Sequence, residues 1–252
     1  MGLRKKIPYK NDNTHNIIKN YSEQWEMYKG FSQRYPDACL QMDGIVNPKI
    51  YENQKLKILI FLKDSYRMET DNYISTFVLD LCNLCGEQLK EYNKRYIATW
   101  WGVLQWVNAI RKSLGENEVN SLQTIAHMNI SKLACDGNES VYTRKGVLEE
   151  AIKQDGDLLY KQYKEINPNI VICGNNFIYY RKMIEENSGQ KSKIETIFEK
   201  TIEGKKPLYC YIVDNKTIVF SAYHPCILNT QPRHFEMIIG ENKKEFENIL
   251  YK

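Results

Sequence analysis

Apolar residues recur at helical spacing from about Asn13 to Tyr28, where Ile17, Ile18, Tyr21, Trp25 and Tyr28 share one face and Gly30 follows as a stop. The run from Lys57 to Leu62 has no such period. It is short, apolar and rich in isoleucine, which predicts a buried strand, and it ends in the polar stretch Lys63-Asp64-Ser65-Tyr66-Arg67. A helix is predicted from Asn72 to Cys85, before Gly86. Another is predicted from Trp100 to Leu114, with Thr99 as its cap and Gly115 as its stop. Thr124 to Asn129 reads as a further strand. Leu148 to Ile166 reads as a long helix weakened by Gly156, and Asn169 to Cys173 as a buried strand followed by a helix to about Asn187. Tyr209 to Val213 and Thr217 to Ala222 flank Asp214-Asn215, a pair suited to a hairpin turn. His234 to Tyr251 reads as one closing helix.

Buried strands alternating with helices imply an α/β protein whose mostly parallel sheet is covered on both faces. Ligands of such folds bind beyond the carboxyl ends of the strands. The polar residues after the predicted strands are therefore the first candidates: Asp64, Asn129, Gly174-Asn175-Asn176 and His224.

Composition narrows the classes. With 252 residues, 42% hydrophobic and 26% charged, the chain has the make-up of one folded domain rather than a disordered one. No apolar run approaches the length of a bilayer span. The basic start Met1 to Lys6 has no apolar stretch behind it, so neither a membrane anchor nor a secretory leader is expected. The seven cysteines are odd in number, and Cys173 and Cys210 sit among apolar residues, as reduced thiols do. A cytoplasmic protein is expected. The net charge of +4 permits a polyanionic partner without demanding one.

An acid, an amide and an imidazole on separate strand ends form a coherent chemical set. A carboxylate can orient water and stabilise a developing cation. An amide can read donors and acceptors on a base edge, and an imidazole can support a carbonyl oxygen that gains negative charge. The combination suits hydrolysis of an N-glycosidic bond, where the sugar becomes cationic and the base leaves as an anion. Ile58 to Tyr66 (ILIFLKDSY) resembles the water-activating motif of the uracil-DNA glycosylase superfamily, where a strand ends in Gly-Gln-Asp-Pro-Tyr or a relative. Thr124 to Lys132 (TIAHMNISK) resembles that superfamily's segment with the base-reading Asn. Ile170 to Gly174 is similar to its next core strand and glycine, and Val219 to Cys226 (VFSAYHPC) to its closing His-Pro-Ser motif. The four segments stand in the superfamily's order between about Lys57 and Arg233.

The resemblance implies a three-layer α/β/α fold around a central, mostly parallel four-stranded sheet. It implies a single domain over residues 1–252, with an N-terminal helical extension to about residue 50. In the catalytic set, Asp64 positions the attacking water and stabilises the sugar cation, Asn129 bonds the base edge, and His224 supports the departing base. Tyr66 crowds the C5 side of the pyrimidine, and Phe77, thirteen residues after Asp64, stacks on the base. Lys63, Gly174 and Asn175 complete the substrate-binding set. Lys132, Cys226, Leu228, Gln231 and Arg233 are the DNA-binding candidates, the last three as wedge residues that replace lost stacking. The implied partner is DNA carrying uracil or a modified cytosine, bound by a monomer. No cofactor or metal is called for.

The segment departs from the superfamily at several points. Lys63 and Ser65 flank the acid in place of the usual neighbours, Cys226 stands for Ser, and Arg67 to Asp71 replaces a glycine-rich loop. A remodelled loop suits a base larger than uracil, as in phage DNA with hypermodified cytosine, whereas Tyr66 argues for a small base. Repair and antiviral defence both remain open. So do a non-catalytic sensor of modified DNA and a hydrolase of free nucleosides. Cys82 and Cys85 are read as two core thiols on a helix face rather than as cluster ligands, for which Cys39 and Cys135 are the available partners and no second close pair exists. Trp100, Trp101 and Trp106 are read as core, and His127 carries no role. Lys5, Lys6, Lys90, Lys94 and Arg95 suit either phosphate or water.

Overall fold

The computed structural model describes residues 30–31, 33–36, 43–63, 95–133, 145–188, 193–200, 207–225 and 231–251. Among the described residues, seven strands form one mixed sheet: β1 (Gly44–Ile45), β2 (Ile58–Leu62), β3 (Ile125–Asn129), β4 (Ile170–Gly174), β5 (Ile194–Lys200), β6 (Leu208–Val213) and β7 (Thr217–Ala222). Their order is β1-β3-β2-β4-β7-β6-β5. Among the described residues, six α-helices with defined bounds accompany them: α1 (Pro48–Glu52), α2 (Arg95–Ser113), α3 (Lys145–Ile166), α4 (Phe177–Asn187), α5 (Gln231–Glu241) and α6 (Lys243–Leu250).

Five strands are read from the sequence; the four that carry the motifs are parallel neighbours in the order β3-β2-β4-β7, and the fifth, β6, pairs antiparallel with β7. Every residue of β2, β3 and β4 is buried, which explains why each reads as a continuous run rather than an alternation. The expectation of a four-stranded sheet is corrected. Antiparallel β1 extends one edge, and β6 and β5 extend the other. The supposed N-terminal extension thus supplies a sheet strand at Gly44–Ile45.

Side chains of the sheet separate into two cores by the period of two. Ile58, Ile60, Leu62, Ile170, Ile172, Ile218 and Phe220 pack under α2, α5 and α6. Leu59, Phe61, Ala126, Met128, Val171, Cys173 and Val219 pack under α3 and α4. Full burial of each such side chain is worth about 1.5–3 kcal/mol, so these two layers carry the fold.

Helix α2 presents Trp100, Val103, Leu104, Val107, Ile110 and Leu114 to the sheet, at spacings of three and four. The reading of Trp100 and Trp106 as core holds, at 4% and 1% exposure. Helix α2 begins at Arg95, so Thr99 lies inside it and does not cap it. In α3, Gly156 marks a close approach, because a Cβ there would meet the Asn187 side chain of α4 at 2.8 Å. The closing helix is two helices, broken at Asn242, whose Nδ2 donates back to the Ile238 carbonyl at 2.8 Å. Asp214 and Asn215 form the β6–β7 turn, with φ of 51° and 57°, as a type I′ hairpin requires. Cys173 and Cys210 are free and buried, and burial pushes both thiols well above their ordinary pKa. No helix among the described residues is long and apolar enough to cross a membrane.

Candidate functional site

Parallel pairing brings four strand ends to one edge. Leu62 pairs with Asn129, Phe61 with Cys173, and Gly174 with Ala222. The rows continue past the strands. Ser131 N–H donates to the Lys63 carbonyl at 3.0 Å, and Asn175 N–H donates to the Ala222 carbonyl at 2.8 Å. Lys63, Asn129, Gly174, Asn175 and His224 therefore lie along the carboxyl edge. With neighbouring strands about 4.7–4.9 Å apart, β3 and β7 are about 14–15 Å apart across this edge.

Two glycines let the chain close around this edge. A Cβ on Gly174 would come within 2.6 Å of Leu62 Cδ2 and 3.4 Å of Pro225 Cδ. A Cβ on Gly102 would collide with the Pro225 carbonyl. Pro225 thus sits between α2 and the end of β4, and it fixes the chain immediately after His224. His224 itself is half-buried. Asn175 is exposed and holds φ at 60°, a left-handed conformation that asparagine tolerates. Asn176 follows at the N-cap of α4, 2% exposed, and neither atom of its amide has a hydrogen-bond partner among the described residues. A buried amide left unpaired costs about 1–3 kcal/mol.

Asn129 is 2% exposed, and its geometry is tightly set. Its backbone N–H donates to Asp43 Oδ2 at 2.6 Å, and its Oδ1 lies 3.1 Å from His127 Nε2. His127 is buried against Trp100, ring edge to ring face, with centroids 5.0 Å apart. Burial lowers the pKa of His127 to about 4, so the imidazole is neutral at neutral pH. His127 was given no role from the sequence, and the structure packs it at 3% exposure beside Asn129. The signal was its place two residues before Asn129, which puts both side chains on one face of the strand.

Lys132 departs from expectation. Its Nζ lies 2.7 Å from both oxygens of Asp43, and the two side chains are 0% and 1% exposed. Gln162 Nε2 also donates to Asp43 Oδ1, at 2.8 Å. Burial lowers the Lys132 pKa and Asp43 opposes that shift. An ammonium enclosed in this way does not reach phosphate; it holds the end of β3. Arg233 is exposed in the first turn of α5, which Gln231 opens. Asp64, Tyr66, Phe77, Cys226 and Leu228 lie outside the described residues, as do Cys39, Cys82, Cys85 and Cys135. Among the described residues, no group of His, Cys, Asp and Glu is arranged to hold a metal. A small hollow lined by Tyr160, Tyr163, Asn167 and Thr217 opens at the opposite, amino edge and includes none of the candidates.

Fold and site together define an α/β protein with a polar cluster at the carboxyl edge of a parallel sheet. No protein-family model matches the chain, and no curated protein matches it.

Proposed function

We propose that this protein is a DNA glycosylase that extrudes uracil or a modified cytosine and hydrolyses its N-glycosidic bond. The observation that carries the reading is the meeting of the four motif-bearing strands as parallel neighbours, with Asn129, Gly174-Asn175 and His224 at their shared edge. Asp64, next in the chain after Lys63, orients water toward the anomeric carbon and stabilises the positive sugar. Asn129 holds the base edge. His224 supports the base oxygen that gains charge as the bond breaks. Each contribution is electrostatic and positional, so no strong nucleophile is needed.

The test is base release from duplexes carrying uracil, mismatches and hypermodified cytosine, read by mass spectrometry. Asp64→Asn and His224→Ala each reduce release by about 10²–10⁴-fold while thermal unfolding is unchanged. Release at the wild-type rate from both variants refutes the mechanism. The altered neighbours of Asp64, Lys63 and Ser65, favour a second reading: a sensor that binds modified DNA without cutting it. Tight binding with no abasic sites identifies that case.

A further inference from the structure

A side-chain amide has two different ends, and whichever end faces the ligand decides what it can read. In Asn129 the oxygen lies 3.1 Å from His127 Nε2. The Asn129 backbone is pinned separately by Asp43, so the side chain turns only about its own bonds. Resting on the glycosylase reading, we propose that His127 is a positioning residue: it donates from Nε2 to Asn129 Oδ1, turns the amide NH2 toward the ligand, and so selects a base edge that offers a hydrogen-bond acceptor.

The surroundings hold this arrangement in place. Trp100 from α2 packs on the imidazole and fixes the plane of the ring. The neutral ring carries one N–H; placed on Nε2, it donates to the Asn129 oxygen 3.1 Å away, and that is the tautomer the proposal requires. The charged groups acting on the ring are Asp43, from the segment before β1, and Lys132, beyond β3; their effects oppose one another. A carbonyl oxygen or bare ring nitrogen pairs with the presented NH2. An N–H in the same place sets donor against donor and leaves both unpaired. Between pyrimidines with the same 5-substituent, the site therefore favours the one whose edge toward Asn129 is an acceptor.

The experiment has two arms on the full chain. In the first, ¹⁵N spectra of the imidazole read its tautomer between about pH 5 and 8. Nε2–H is expected, and an Nδ1–H tautomer overturns the proposal because the amide then presents its oxygen. In the second, release is compared on duplexes carrying a 4-oxo or a 4-amino pyrimidine with the same 5-substituent. His127→Phe keeps a ring against Trp100 but has no donor. It lowers the selectivity ratio about tenfold or more, whereas His127→Gln, which can donate, restores part of it. An unchanged ratio in a folded His127→Phe protein overturns the assignment. If the wild type releases neither base, the glycosylase reading fails on its own. Affinity for the same two duplexes then replaces release, and equal affinity overturns the selection by His127.

Discussion

Replacing Lys132 with methionine removes a buried ammonium and keeps most of the side-chain length. In the wild type, Nζ lies 2.7 Å from both Asp43 oxygens, with both side chains shut off from water. The variant leaves the Asp43 carboxylate with the Asn129 N–H at 2.6 Å and Gln162 Nε2 at 2.8 Å, but without the opposing charge. Breaking a buried pair from one side costs about 3–5 kcal/mol. An exposed pair costs about 0–1 kcal/mol, so burial decides between the two figures. Total stabilities are about 5–15 kcal/mol, which makes this a large fraction. Urea unfolding measures it, since the midpoint falls by the loss divided by a slope of about 1–3 kcal/mol per molar. The double variant Asp43→Asn, Lys132→Met retains neither charge and recovers most of the loss, giving a coupling of several kcal/mol. A loss below about 1 kcal/mol in the single variant refutes the buried-pair argument. Unchanged stability with a DNA-binding salt slope reduced by about one would assign Lys132 to phosphate instead.

Two further predictions concern the same edge. His127 is held at about 4 against 6.5 for an ordinary histidine, so the unfolded chain binds a proton that the folded chain refuses. Stability is full above pH 6.5 and falls as pH drops toward 4, by about 3 kcal/mol in all; urea unfolding of wild type and His127→Phe across that window shows this component missing from the variant, and equal slopes refute it. Gly102→Ala drives a methyl into the Pro225 carbonyl. The helix-propensity gain of about 1 kcal/mol does not offset an overlap costing about 1–3 kcal/mol, and the chain after His224 shifts, so melting temperature and base release both fall. Gly146→Ala in α3, with open space around it, stabilises by about 0.5–1 kcal/mol and serves as the control.

The central strands were legible because burial on both faces removes polar residues from a parallel strand and leaves an unbroken apolar run, as in Ile58 to Leu62. The outer strands were not. In β5, Ile194 to Lys200, charged residues Glu195, Glu199 and Lys200 are interleaved with the apolar ones. That is how an edge strand guards against pairing with another chain, and it hides the strand from a search for hydrophobic runs. With two residues, β1 is too short to show any period. The break at Asn242 came from an asparagine bonding back to the preceding turn, without the glycine or proline that marks most helix ends.

The residues around the site divide along the same physical line. Asn129, Gly174 and Asn175 were legible because chain order and strand ends locate them without knowledge of any side-chain partner. Lys132 was not, since a lysine near a proposed DNA site is read as exposed unless its counter-ion is known. That counter-ion, Asp43, lies 89 residues earlier, in a segment with no readable element. His127 was given no role for a different reason. In a strand buried on both faces, polar and apolar positions are equally hidden, so a histidine there gives no sign of which layer it enters. Period-two geometry supplies that sign once Asn129 is taken as the reference: position 127 must share its face. The next described residues on that face along the edge are Leu62, Gly174 and Ala222, which are apolar or lack a side chain. Within the described strands, His127 is thus the polar side chain that shares the face of Asn129 within hydrogen-bond distance, and on the proposed reading base selection is tested first at that pair.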